Sequence, residues 1–255
     1  MIHGTFLIVS VQLTVNTFTF ALLITLDPYF FNYKKTFSIN LMAVASADYK
    51  FISVDIGQIG SSSDSGIWER SDFGSAWKEK SINTPLPLPG TNDPVEYVMI
   101  GDEAFPLQTN LLRLFPGRDL NSMIKKRYNY RLSRARRVVE NVFGILTNRF
   151  RVLFTTMDAD AEKASLVVRA CCVLHNMLCT LADEVYLPAG YADQVQRDGH
   201  VAAGFWRVDN QNLDGMVATA RGHAVAATNA RNRFAQWFSE VGAVEWQGRH
   251  VTRVR

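Results

Sequence analysis

Tyr97-Val98-Met99-Ile100-Gly101-Asp102-Glu103-Ala104-Phe105-Pro106 is the stretch on which the fold turns. Its short apolar run, closed by a glycine, predicts a buried strand. Asp102 follows that glycine and stands at the strand's carboxyl end. Downstream, Leu132, Ala135, Val139, Val142, Phe143 and Leu146 recur at helical spacing, so residues 128–147 are predicted as an amphipathic helix with one apolar stripe. That helix carries Glu140, with Arg136 and Arg137 one turn before it on the same side. An acid at a strand end and a second on a helix roughly forty residues later supply hard oxygen ligands suited to a divalent metal and phosphodiester chemistry. The fold class that follows is α/β, a short mixed sheet of four or five strands flanked by helices.

Working outward, the charge is unevenly spread. The chain of 255 residues has a net charge of +3, yet the stretch from Arg113 to Arg151 holds eleven Lys and Arg against two acids, Asp119 and Glu140. The remainder is therefore acidic. Lys125, Lys126, Arg127, Arg131, Arg134, Arg136 and Arg137 are the candidates for binding a polyanion, because cationic side chains neutralise phosphates without reading sequence. Tyr128 and Tyr130 are either core residues or platforms for unpaired bases. Cys171, Cys172 and Cys179 lie in one apolar helical stretch and are odd in number, which indicates a reducing compartment and no disulfide framework.

Residues 5–26 carry no formal charge and are long enough to cross a bilayer. Ser10, Gln12, Asn16 and five threonines dilute them, and there is no basic n-region or cleavage pattern. Buried strands, or a segment foreign to the domain, are the favoured reading over a membrane tether. Phe37–Val44 and Tyr49–Ile56 are predicted as two antiparallel strands around the turn Ser46-Ala47-Asp48. A polar loop through Ser61–Ser65 then leads into a helix bearing Ile67, Trp68, Phe73 and Trp77. Pro85, Pro87, Pro89 and Gly90 mark a surface loop. Residues 160–181 are predicted as a buried helix, 183–212 as a long surface connection, and 224–241 as a terminal helix docking through Phe234, Trp237 and Phe238.

Several of these stretches together resemble one family. Phe31-Asn32-Tyr33-Lys34-Lys35, Gly101-Asp102-Glu103-Ala104-Phe105-Pro106, the run from Asn129 to Asn141 followed by Phe143-Gly144, and Leu174-His175-Asn176 resemble the Harbinger transposase-derived nucleases, as does Val244-Glu245-Trp246-Gln247 near the carboxyl end. The resemblance implies a ribonuclease-H-like fold over residues 28–182. Residues 1–27 then stand as an atypical apolar segment, 183–212 as the connection and 213–255 as a helical tail. It further implies an Asp-Asp-Glu set binding Mg2+ or Mn2+, with Asp102 as second acid and Glu140 as third, DNA as substrate, a separate Myb-like protein as partner, and the nucleus as location. The bland readings are that Asp102 caps its turn and that Glu140 pairs with Arg136 or Arg137.

The first acid of the family pattern belongs to an Asp-Gly-Thr-His-like motif on the first strand, and this chain has none. Ile2-His3-Gly4-Thr5 is the nearest echo, with histidine, a poor magnesium ligand, where the acid belongs. Asp27 is wrongly spaced, and Asp48 and Asp55 are assigned to a turn and an edge strand. The expectation is that the first strand is missing or replaced and that the nuclease is incomplete or inactive. The alternative is a non-catalytic module that binds nucleic acid or protein. Asp64 reads first as a helix cap and second as a contributor to the site. His175, four residues after Cys171, reads as a hydrogen-bonded core residue rather than a zinc ligand.

Overall fold

In the computed structural model, residues 12–21, 30, 37–59, 62–79, 86–92, 94–208 and 224–251 are described. The main sheet begins with β1 (Gln12–Ala21), β2 (Ser38–Ala45) and β3 (Phe51–Ile59). Two short helices follow, α1 (Asp64–Arg70) and α2 (Asp72–Lys78), then an exposed ribbon of β4 (Leu86–Pro87) and β5 (Pro94–Val95). β6 (Met99–Gly101) and β7 (Leu111–Leu112) return to the sheet, which runs in the order β3-β2-β1-β6-β7. The pairs β1–β2 and β2–β3 are antiparallel, and β1–β6 and β6–β7 are parallel. The long helix α3 (Met123–Arg149) precedes β8 (Met157–Asp158), which pairs with the far end of β1, and α4 (Ala161–Leu181). After α5 (Asp183–Tyr186), a hairpin of β9 (Gln194–Val195) and β10 (Val201–Ala202) leads on to α6 (Val225–Ser239) and α7 (Gln247–Val251).

A strand from the amino-terminal run, β1, stands in the sheet, which corrects the expectation of a missing strand; a replacement strand without the acid is the other half of that expectation. The backbone of β1 is the sheet's centre, with eight residues paired to β2 from Gln12 opposite Ala45 to Thr19 opposite Ser38. An apolar, β-branched run supplies a strand that is paired on both edges. Residues 12–21 are thus sheet rather than a membrane-crossing helix. Ile2-His3-Gly4-Thr5, Asp27 and the Phe31–Lys35 motif lie outside the described residues.

Helices cover both faces of the sheet. On one face Ile39, Leu41, Ala43 and Ala45 of β2 meet Val139, Val142, Phe143 and Leu146 of α3 and Val168, Cys171 and Cys172 of α4. On the other, Met42 and Val44 meet Ile67, Trp68 and Trp77 of the short helices, with Met99 and Leu111. Every residue of β2 is buried for this reason, although the strand is antiparallel to both neighbours. The turn between β2 and β3 falls at residues 46–50, as expected from the sequence. Tyr49 takes φ 63° there, and Asp48 pairs with Lys50 at 3.2 Å. Asp55 sits on the edge strand β3 and accepts from Gln58.

Two expectations change. The outer face of α4 is exposed at Leu166, Val173, Leu174, Met177 and Leu181, so only its inner stripe is buried. Residues 183–208 are not a bare connection: Tyr186 and Trp206 are buried with Ile145 and Cys179 in a core of their own against α3. The terminal helix behaves as predicted, with Phe234, Trp237 and Phe238 packed on Tyr128 and Leu132.

Leu174-His175-Asn176 has an architectural role. Asn176 accepts from the Phe51 amide and donates to the Phe51 carbonyl, both at 2.8 Å. The fully buried His175 has Nε2 at 2.7 Å from the Tyr49 carbonyl and Nδ1 at 2.7 Å from the Tyr186 hydroxyl. The carbonyl can only accept, so Nε2 carries the proton and Nδ1 accepts from the tyrosine. Burial holds this imidazole below its usual pKa, against the opposing pull of the Tyr49 carbonyl. The three cysteines are buried free thiols.

Candidate functional site

Asp102 leaves the carboxyl end of β6 and enters a tight turn in which its Oδ1 accepts from the Ala104 amide at 2.8 Å. Arg113, just past β7, steadies that turn by donating from Nη1 to the carbonyls of Glu103 and Phe105, each at 3.1 Å. Burial raises the Asp102 carboxyl; the Ala104 amide and the charge of Arg136 offset part of the rise. The turn-capping role is therefore real, with the Ala104 and Phe105 amides both favouring the ionised carboxylate.

Asp64, the first residue of α1, is close enough to Asp102 for the two charges to interact. Its helix is capped by Ser63, whose side chain accepts from the Gly66 amide, so Asp64 is not the cap. Ser71 ends α1 and caps α2, donating to the Trp68 carbonyl and accepting from the Gly74 amide. Trp77 and Asn110 exchange hydrogen bonds between side chain and backbone, tying α2 to β7. Held this way, Asp64 is 6% exposed and its Oδ1 has no hydrogen-bond donor. Burial, and then the negative charge of Asp102, push its carboxyl up to about 6. A buried carboxylate oxygen with no donor costs free energy unless a cation or proton meets it.

Glu140, expected from the resemblance as the third acid, lies on α3. Glu140 is half exposed, and its partner is Arg207 at 3.2 Å rather than Arg136 or Arg137. Arg136, one turn earlier on the same flank, projects its charge onto Asp102, while its own Nε is buried without an acceptor. Arg207 and its partner Asp193 were not foreseen, because residues 183–212 show no periodicity and both residues act through contacts formed only on folding.

The remaining cations of α3 are used in several ways. Arg131 lies over the rings of Phe238 at 4.8 Å and Trp246 at 5.8 Å, and burial, then the charge of Arg134, lower its guanidinium to about 10. Arg134 lies 4.0 Å over Trp246 and donates to the Gly199 carbonyl. Arg137 pairs with Asp193 at 3.4 Å, and Lys125 sits 5.4 Å over Phe115. The Arg127 Nε is buried without an acceptor, and Lys126 is part-exposed. Tyr128 is fully buried, donating to the Arg113 carbonyl, and Tyr130 donates to the Gly199 carbonyl. Much of the helix that reads as one cationic face is thus a central helix enclosed by later parts of the chain.

The donor set at Asp64 and Asp102 is carboxylate oxygen, the chemistry a hard divalent cation requires. Among the described residues no group of three or more His, Cys, Asp or Glu side chains that could hold a metal ion is found. On β1, Leu13 pairs with Gly101, so position 14 is the next in register, level with Asp102; it is a threonine, and β1 holds no acid.

Residues 22–176 match the family model described as DDE superfamily endonuclease. Over 154 residues the chain is 30% identical to "Protein ALP1-like" of Arabidopsis thaliana, covering 59% of this chain and 37% of that protein. It is 29% and 28% identical to "Putative nuclease HARBI1" of Mus musculus and of Homo sapiens, covering 59% of this chain and 40% of each. The match thus spans well under half the length of these relatives. No solved structure matches. The motifs around Asp102, Glu140 and His175 all fall within the matched span, and the chain belongs to the DDE superfamily endonucleases.

Proposed function

We propose that this chain carries a DDE-type endonuclease domain that holds a divalent cation, Mg2+ or Mn2+, at Asp102 and Asp64, and that takes DNA as its substrate. One observation carries the reading. The buried carboxylate of Asp64 and the half-buried one of Asp102, at the end of β6, act on each other through their charges; Asp64 Oδ1 lacks any donor among the described residues, and Arg136, whose charge reaches Asp102, has a buried Nε lacking any acceptor. An unmet carboxylate oxygen and an unmet guanidinium N–H, each on a residue whose charge acts on Asp102, suit a cation and a phosphate oxygen.

The strand order β3-β2-β1-β6-β7, antiparallel and then parallel, supports a ribonuclease-H-like arrangement, with Asp102 at the end of the strand beside the central one. A divalent cation held by these carboxylates would supply activation of water and stabilisation of the leaving oxygen. The chain's own part is to present carboxylates at Asp64 and Asp102, to keep the 103–105 turn rigid through Arg113, and to offer Arg136, Lys125 and Lys126 to phosphates. A threonine level with Asp102 on β1 leaves the family's first acid unfilled, which favours weak or absent cleavage with binding retained. DNA as substrate implies the nucleus, and site selection through a Myb-like partner belongs to the same reading.

Calorimetric titration with Mn2+ tests the site. Asp102→Ala and Asp64→Asn should each weaken binding at least about tenfold, with the fold retained by circular dichroism. Unchanged affinity in both variants would remove the proposed site.

A further inference from the structure

The helix α4 carries an apolar face that the fold leaves exposed. Its inner side holds Ala164, Val168 and His175, all fully buried, and His175 is bonded to Tyr49 and Tyr186. On the opposite side Leu166, Ala170, Val173, Leu174, Met177 and Leu181 are exposed, Val173 at 63% and Leu181 at 76%. Residues three and four apart share a helix face. These six therefore form two rows at four-residue spacing, Leu166-Ala170-Leu174 and Val173-Met177-Leu181, side by side along the helix. No Asp, Glu, Lys or Arg interrupts the chain from Ala170 to Ala182. Single exposed apolar side chains are ordinary, but a contiguous strip of them marks a surface that is covered in use.

The strip reads the same in either direction. A two-fold axis passing between positions 173 and 174 exchanges Leu166 with Leu181, Ala170 with Met177, and Val173 with Leu174. Such a surface is complementary to a second copy of itself turned antiparallel. Ala170 then faces Met177, small against large, so the rows interdigitate. The charges beyond the strip obey the same symmetry. Lys163, its side chain 72% exposed, is exchanged with the exposed Glu184, and Asp183 lies beside Glu184. An antiparallel pair sets cation against acid at both ends, whereas a parallel pair sets like against like. Lys163 reaches Asp160 of its own chain at 3.1 Å, and with three donors it can meet a second carboxylate. By length and composition α4 also suits a bilayer, but the bonds of His175 tie it to two other parts of the chain. Its ends carry acids as well as bases, unlike the cationic rim of a helix lying on lipid.

We propose that the outer face of α4 is the interface of a two-fold homodimer, in which the α4 helices of two copies pack antiparallel around an axis between positions 173 and 174. The strip is about 25 Å long and one helix wide. The area covered is at the small end of specific interfaces, so the association is reversible, with a dissociation constant on the order of 10 μM.

The test is sedimentation velocity of the full chain at concentrations from about tenfold below to about tenfold above that value. The native chain should pass from monomer to dimer across the series. Met177→Glu, at a position exposed in the single chain, should weaken self-association at least about tenfold, with circular dichroism unchanged. Lys163→Glu and Glu184→Lys should each weaken it about two- to fivefold. The two together should restore it, because the pair re-forms with its signs exchanged; this exchange serves as the test if the Met177 variant does not fold. A native chain that stays monomeric throughout overturns the proposal. So does a dimer that Met177→Glu leaves intact, since the contact then lies elsewhere. Additive losses in the double charge variant would exclude the antiparallel arrangement. Flotation of a monomeric native chain with phosphatidylcholine vesicles would mean that lipid, not a second copy, covers the strip.

Discussion

At the scale of the residue, burial penalises the ionised carboxylate of Asp64, and that penalty depends on pH. Its carboxyl is pushed up to about 6 by burial and by Asp102, against 3.8 for the free side chain. A folded-state pKa above the unfolded one means that the folded chain binds more protons between those values. The stability Asp64 contributes is thus fully present below pH 3.8 and is lost as pH rises through 6. Asp64→Asn, which cannot ionise, should raise the stability of the metal-free protein at pH 8 on the order of 2 kcal/mol, and by nearly nothing at pH 4. Thermal melts in a chelator at the two pH values measure this; an equal gain at both would show that the charge at Asp64 is not what is penalised. Cation binding must displace the Asp64 proton below pH 6, so Mn2+ affinity should fall as pH is lowered through that value.

Among the elements, α3 connects most of the chain. It packs its apolar stripe on β2 and lends one flank to the site. Its outer side is met by Trp246 of the tail and by the segment bearing Trp206. Gly144 lies where Trp206 presses closest. Alanine in a helix is ordinarily favoured over glycine by about 1 kcal/mol, but here its methyl would overlap the Trp206 ring, and such overpacking costs about 1–3 kcal/mol. Gly144→Ala should therefore destabilise the protein and loosen residues 187–208, seen as a lower denaturant midpoint and faster proteolysis within that segment. A variant as stable as the native chain would mean that Trp206 relocates without cost. The spacing of Leu132, Val139, Val142 and Leu146 already showed this helix and its buried side. Which of its arginines stay available did not show, because Arg131, Arg134 and Arg137 are engaged by residues about sixty to more than a hundred positions away.

For the whole molecule, the question is whether the sheet still supports cleavage. β1 is present and centrally placed, and the acid is what it lacks. Register puts position 14 level with Asp102, so Thr14→Asp supplies a carboxylate without rebuilding a strand. The native chain should nick supercoiled plasmid in Mn2+ weakly or not at all. Thr14→Asp should raise the nicking rate at least about a hundredfold, the size of effect a positioned site carboxylate or general base contributes, and Asp102→Ala should abolish the gain. Strong nicking by the native chain that Asp102→Ala removes would mean that another acid already takes that place.

The sequence by itself determined the α/β class, the two antiparallel strands and their turn, the strand leading to Asp102, the helices near 128–147, 160–181 and 224–241, and the family, because each rests on local periodicity or a contiguous motif. Tertiary structure alone decided that the apolar amino-terminal run is the central strand, since its partners lie far along the chain at residues 38–45 and 99–101. It also decided that Asp64 is a buried neighbour of Asp102 rather than a cap, and that Glu140 meets Arg207 across 67 positions. Burial, charge coupling and long-range pairing arise only when distant segments pack, and no local pattern of residue types encodes them.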